Sequence, residues 1–233
     1  MQMDFGVHLL PGLPEAPGNP EDSLFLAKSL YASGIRVAVD VAPFEESPVY
    51  LQRWNLLMRM AHSAFDRKRQ RRLHGLQVLS GTAILLSEEN ICGLDLTPFC
   101  IKSALLPVLL PQAVLTPAEK ALFPRLFHQG IQPIIMNTEQ ALLFATDEWR
   151  KELFRLPYVC FHFNQCTFLH SVYEPILVRA VTMRAKILLG SGTSYNGFSP
   201  LLRADDIADL HMRQLYRTMR THFVTNLDAI LPH

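Results

Sequence analysis

The chain has almost no excess of charge, with 22 lysines and arginines against 21 acidic residues among 233. That balance gives no global electrostatic argument for nucleic acid, whose phosphates select basic surfaces, and no nucleic-acid partner is expected. It also lacks any C-x-x-C pair. Cys92, Cys100, Cys160 and Cys166 lie six or more positions apart, a pattern of buried or free thiols in a reducing compartment and not of a disulfide framework. Long hydrophobic runs are missing too. The longest, Ala104 to Leu110, is broken by Pro107 and is far below the ~20 residues a membrane helix needs, so no membrane insertion is expected. Met1-Gln2-Met3-Asp4 has no basic stretch leading into an apolar one, which argues against a signal peptide and for the cytoplasm. With no internal repeat and no low-complexity linker, residues 1–233 read as a single domain.

What is present is an apolar share of 49%, enough for a substantial core and too high for a disordered chain. Seven short apolar runs read as buried strands: Phe5–Leu9, Arg36–Ala42, Leu76–Ala83, Lys102–Leu110, Ile131–Met136, Tyr158–Phe163 and Lys186–Leu189. Helical patterns separate most of them, and alternating β and α units imply a parallel sheet, open or closed. Asn19-Pro20-Glu21-Asp22 combines a cap, a proline in the first turn and acidic residues at a helix start, and Gly34 stops that helix. Thr116-Pro117-Ala118-Glu119 repeats the device and Gly130 closes it. Arg203–Thr221 is expected to form the last long helix.

The stretch from Asp4 to Glu15, D-F-G-V-H-L-L-P-G-L-P-E, followed by Glu21-Asp22-Ser23-Leu24, resembles the opening strand and loop of the PHP-type (polymerase and histidinol phosphatase) protein tyrosine phosphatases of bacterial capsule and exopolysaccharide clusters. That family reads D-x-H-x-H-x-L-P-G-x-D-D-G and then E-E-S-L. Further blocks fall in order: Gly81-Thr82-Ala83-Ile84 against G-A-E-I; Gly130 to Gln140 against G-x-x-P-V-x-A-H-P-E-R; Phe163-Asn164-Gln165 against V-N-A; Ser191 to Asn196 against S-D-x-H-N; and Asn226 to Leu231 against N-P-x-x-I-L. The resemblance implies a distorted (β/α)7 PHP-like barrel, a site for divalent metals, usually manganese, at the carboxyl ends of the strands, and homo-oligomers in which the E-E-S-L helix takes part. It also implies a place in a bacterial polysaccharide system.

Against that pattern the metal donors are missing. Gly6 stands for a His, Pro14 for an Asp, Phe44 for a His, Ala83 for a bridging Glu, Asn137 for a His, Gly192 for an Asp and Ser194 for a His. Each metal needs imidazole or carboxylate donors converging at roughly 2.0–2.2 Å, which a phenyl ring and a methyl group cannot supply. Gln140 and Ser199 stand where the family has arginines, the usual bidentate partners of phosphate. The expectation is therefore a phosphatase-like protein without catalysis or a bound cofactor, acting by binding, as a homo-oligomer and with a polysaccharide-system protein as partner. His8, Glu15, Asp40, Glu139 and Asn164 remain as a relic pocket. The alternative is a manganese-dependent phosphotyrosine phosphatase or related hydrolase using His8, Glu15, Asp40 and Glu139.

Other features read more plainly. Cys160, His162 and Asn164 would share one strand face, joined by Cys166 only if the strand runs on; lacking a fourth zinc donor, they read as buried groups beside a polar barrel mouth. Gly190–Gly197 has no G-K-[ST] and reads as a connecting loop lining the old pocket. Arg67-Lys68-Arg69-Gln70-Arg71-Arg72 follows the apolar helical stretch Tyr50–Phe65 and reads first as a solvated helix end, with a docking patch for an acidic partner as the sharper reading. Trp54, Met58 and His62, at helical spacing, read as core or oligomer contact.

Overall fold

The computed structural model describes residues 2–13, 15–44, 59–63, 65–67, 69, 73, 75–111, 114–194 and 197–231. Seven strands run in sequence order around one parallel sheet: β1 (Gln2–Val7), β2 (Ile35–Pro43), β3 (Gln77–Leu85), β4 (Leu105–Leu109), β5 (Gln132–Ile135), β6 (Cys160–Asn164) and β7 (Lys186–Gly190). Between and after them come α1 (Pro20–Ala32), α2 (Glu88–Gly93), α3 (Pro117–His128), α4 (Thr138–Leu142), α5 (Asp147–Phe154), α6 (Glu174–Thr182) and α7 (Leu210–Met219). The result is the expected seven-stranded β/α barrel, nearly closed.

Alternation along the strands sorts the side chains. Met3 and Phe5, Val37, Val39 and Val41, Leu105, Ile134, Cys160 and Leu188 fill the barrel interior. The opposite faces bury against the helices in a second apolar layer that includes Ala38, Ile84, Val108, Ile135, Phe161 and Ile187. This two-layer burial explains why the strands read as continuous apolar runs. At the amino-terminal end of the strands, a short 3-10 turn, Leu227–Ile230, drives Leu227 and Ile230 into the interior cluster and forms the barrel floor.

The caps behave as their chemistry predicts. Asn19 accepts from Asp22 N at 2.9 Å, and Thr116 with Glu119 makes a reciprocal capping box. Two expectations need correction. The strand expected over Lys102–Leu110 begins only at Leu105, because Lys102 and Ser103 take positive φ (51° and 62°) in a turn that pairs Ile101 with Leu105. The long helix expected over Arg203–Thr221 is broken: Asp206 accepts from Arg203 N at 2.8 Å and Asp209 from Met212 N at 2.8 Å. Two aspartates that cap in succession start two short segments in place of one. In the Glu21-Asp22-Ser23-Leu24 helix start, Leu24 is buried at 2% exposure, whereas the next residue, Phe25, is 66% exposed. Of the expected helical stretch Tyr50–Phe65, positions 59–63 and 65 are helical, while the rest of it, with Trp54 and Met58, and most of the basic run fall outside the described residues. Of that run, Arg69 is turned inward, bonded to Asp66 and to the Leu76 carbonyl; His62 pairs with Asp66.

Candidate functional site

The barrel closes where β1 meets β7, and few backbone hydrogen bonds hold that seam. Ser191 N donates to Asp4 Oδ1 at 2.8 Å, and His8 N donates to Thr193 O at 3.0 Å. Gly190 permits the approach: a Cβ there would lie 2.3 Å from the Phe5 carbonyl oxygen and 2.5 Å from His162 Nε2. Asp4 is completely buried and its Oδ2 has no partner among the described residues. Burial pushes its carboxyl up to about 7, against the Ser191 hydrogen bond that lowers it.

Above the seam, at the carboxyl ends of the strands, lies a cavity of about 400 Å³. Its walls bring together His8, Glu15, Ala83, Asn137, Gln140, Asn164, Gly192 and Ser194, residues from widely separated parts of the chain, together with Gly6, Val41, Pro43, Leu109, Met136 and His162. This is the face on which β/α barrels build their sites from strand ends and the loops that follow. Pro14 lies outside the described residues.

The relic residues divide in two. His8 and Glu15 stand in the wall, with His8 Nε2 3.1 Å from Glu15 Oε2. Asn164 also lines it; its Oδ1 accepts from Cys166 N at 3.1 Å, which turns the chain out of β6. Cys166 is exposed and does not rejoin the face of Cys160 and His162. Asp40 and Glu139, in contrast, are buried beneath the mouth and absent from its lining. Asp40 Oδ2 accepts from Leu9 N at 2.5 Å and Leu10 N at 2.7 Å, so it anchors the loop that carries His8, with a carboxyl raised by burial. Glu139 Oε1 accepts from Asn164 N at 3.4 Å and Oε2 has no partner; burial raises it to about 7.

Phe44 is not in the mouth. Its ring packs on Phe99, centroids 6.1 Å apart, in the outer apolar layer, while Phe44 N bonds to Ala83 O at 2.8 Å. Pro43 holds the place in the wall, because alternation turns position 44 outward.

The residue that sequence reading undervalued is His162. Its Nε2 lies 3.2 Å from the Phe5 carbonyl and its Nδ1 accepts from Asn137 N at 3.3 Å. The Nε2–H tautomer satisfies both bonds, and burial holds the ring neutral, its pKa pushed down to about 4. The ring occupies the space in front of Gly6: a Cβ on Gly6 would sit 2.8 Å from His162 Nε2, and φ there is +74°. No sequence signal announces this, since positions 6 and 162 meet only through closure of the barrel.

A metal centre of the kind the fold resemblance implies does not fit these residues. Among the described residues no three His, Cys, Asp or Glu side chains are grouped to hold an ion. The imidazole nearest the missing ligand position has both nitrogens engaged in the fold.

No family model and no curated protein matches the chain. Solved structures do. One, from a study of YwqE from Bacillus subtilis and CpsB from Streptococcus pneumoniae, described as metal-dependent tyrosine phosphatases, superimposes with a TM-score of 0.66 over 99% of this chain and 91% of that one, at 14% identity. Two weaker likenesses are an organophosphorus hydrolase from Deinococcus radiodurans (TM-score 0.48, 14% identity, 99% of this chain and 90% of that one) and a TatD-like protein from Archaeoglobus fulgidus (0.46, 15%, 94% and 98%). At these identities the likeness is one of fold: a PHP-like (β/α)7 barrel. Among the described residues no helix is long and apolar enough to cross a membrane.

Proposed function

We propose that this chain is a degenerate member of the PHP-type protein tyrosine phosphatase family that no longer hydrolyses phosphate and acts by binding through its barrel mouth. One observation carries the reading: His162 fills the space where a ligand side chain at position 6 would project, and both of its ring nitrogens are committed to hydrogen bonds within the fold. A missing ligand with open space in front of it is easily replaced. Here the space itself is taken, and Ala83, Asn137, Gly192 and Ser194 stand around the same cavity without a carboxylate or imidazole among them. A scaffolding or regulatory role in a bacterial capsule or exopolysaccharide system, in the cytoplasm, is part of the proposal, and what supports it is the ordered set of motif blocks from Asp4 to Leu231. A homo-oligomer joined through α1 and a polysaccharide-system protein as partner belong to the same proposal. Phe25 is the exposed apolar side chain on α1 to test, and light scattering on Phe25→Glu should report a smaller particle than wild type.

Metal analysis after gel filtration, with a p-nitrophenyl phosphate assay in excess manganese, tests the central reading. The expected result is no stoichiometric metal and no turnover above buffer. Turnover that disappears in His8→Ala would establish the alternative, a manganese-dependent phosphatase or related hydrolase built on His8, Glu15, Asp40 and Glu139.

A further inference from the structure

We infer that the mouth takes an uncharged, hydroxyl-rich ligand about the size of a monosaccharide; the inference rests on the reading of the mouth as a binding site. At about 400 Å³ the cavity lies toward the small end of small-molecule clefts, roughly 300–1,000 Å³. Among the described residues its lining contains no lysine and no arginine. His8 is faced by Glu15 at 3.1 Å, so among the described residues the wall has no uncompensated cation to hold a phosphate or carboxylate.

What the wall has is carboxamides. Asn137, Gln140 and Asn164 all line it. The Asn137 and Gln140 amides have no hydrogen-bond partner among the described residues. Asn164 spends its oxygen on Cys166 N and leaves its NH2 beside Gly192, 3.0 Å from where a Cβ would stand there. A carboxamide offers donors and an acceptor side by side, and a hydroxyl group needs both. Val41, Pro43, Leu109 and Met136 supply apolar wall for the C–H face of such a molecule.

A second observation points to the same side of the mouth. Asn137 is held in the left-handed region, φ 47° and ψ 47°, a conformation that costs an L-residue free energy. It persists because Met136 N is tied to Val108 O at 2.9 Å on one side and Asn137 O accepts from Gln140 N and Ala141 N on the other. Strained residues that the surroundings hold in place cluster at ligand sites. Here the strain aims a free carboxamide at the cavity.

Saturation-transfer NMR on the full chain, with D-glucose and D-galactose as probes and inorganic phosphate as competitor, tests the inference. Transfer to at least one hexose is expected, undisplaced by phosphate and at least fivefold weaker in Asn137→Gly and in Gln140→Ala. Both positions are exposed, and glycine tolerates the left-handed backbone, so neither variant should disturb the fold. Gln140→Arg should lose hexose transfer and gain phosphate binding. Displacement of hexose by phosphate, equal transfer in wild type and both amide-deleting variants, or no transfer to either hexose would each overturn the inference. None of those results touches the non-catalytic reading, which falls only on manganese-dependent turnover of p-nitrophenyl phosphate.

Discussion

The two ends of the barrel are built on opposite terms. At the floor, Leu227 and Ile230 are buried at 3% and 4% exposure among the interior side chains, and the adjoining charges are matched, with Lys102 Nζ 2.6 Å from Asp228 Oδ1. At the mouth the polar groups are not matched. Of the five buried side-chain atoms without a hydrogen-bond partner among the described residues, three belong there or just beneath: Asp4 Oδ2, His8 Nδ1 and Glu139 Oε2. Each such group costs free energy that a fold selected for stability alone would shed. Under the proposed function the difference has a simple cause: a mouth kept for binding keeps polar groups open to a ligand, whereas the floor has only to seal the barrel. An abandoned site would relax toward the character of the floor.

The sharpest way to break this comparison is at the floor. Leu227→Ala removes an apolar plug from the interior cluster and should lower stability by about 2–5 kcal/mol, read as a fall in thermal midpoint, with hexose transfer at the mouth unchanged below the transition. A loss of ligand response without a loss of stability would show that the two ends are not separate.

A smaller effect is expected at the seam. Gly6→Ala places a methyl 2.8 Å from His162 Nε2 at a φ of +74°, and overpacking of this kind costs roughly 1–3 kcal/mol. In a His162→Ala background the steric part of that penalty should vanish and only the backbone part remain. A double-mutant cycle on urea midpoints measures the coupling. Additive effects would mean that the ring does not hold the space in front of Gly6, and the argument for lost metal binding would weaken with it.

Much of the fold was legible before the coordinates. Strand periodicity, the Asn19 and Thr116 caps and the ordered motif blocks are local signals, and local signals survive in sequence. Where the reading slipped, a tertiary or turn effect intervened: the Lys102–Ser103 turn shortens β4, and the paired Asp206 and Asp209 caps split the last helix. The site was legible as a set of residues sharing one mouth, since seven strand ends must converge, but not as geometry. Phe44 shows the limit, because one residue of register at the end of β2 decides whether a side chain faces the cavity or the helices. The contact of His162 with Gly6 and Gly190, and the bond from Ser191 N to Asp4, depend on how the seam closes. No periodicity encodes that distance.

The smallest effect concerns protons. Glu139 is held up to about 7 by burial, above the ~4.3 of an unfolded glutamate. Between those values the folded chain binds more protons at this group than the unfolded one, so its contribution to stability should fall as pH rises through that window and level off above about 7. Asp4, also raised to about 7, and Asp40, raised by burial, contribute in the same sense, and His162, held down to about 4, in the opposite one. Glu139→Gln keeps an oxygen for Asn164 N and removes the ionisation. Below about pH 4 the variant should match wild type, and above 7 it should be the more stable of the two, by on the order of 1–3 kcal/mol. Its slope between them should differ from that of wild type by the Glu139 contribution, because Asp4, Asp40 and His162 remain. Leu227→Ala should shift the same curve down without changing its slope, since nothing titratable is removed. Urea unfolding at a series of pH values distinguishes these outcomes. If Glu139→Gln leaves the slope intact, the buried carboxylate beneath the mouth is solvated by water that reaches it from the cavity, and its missing partner is solvent.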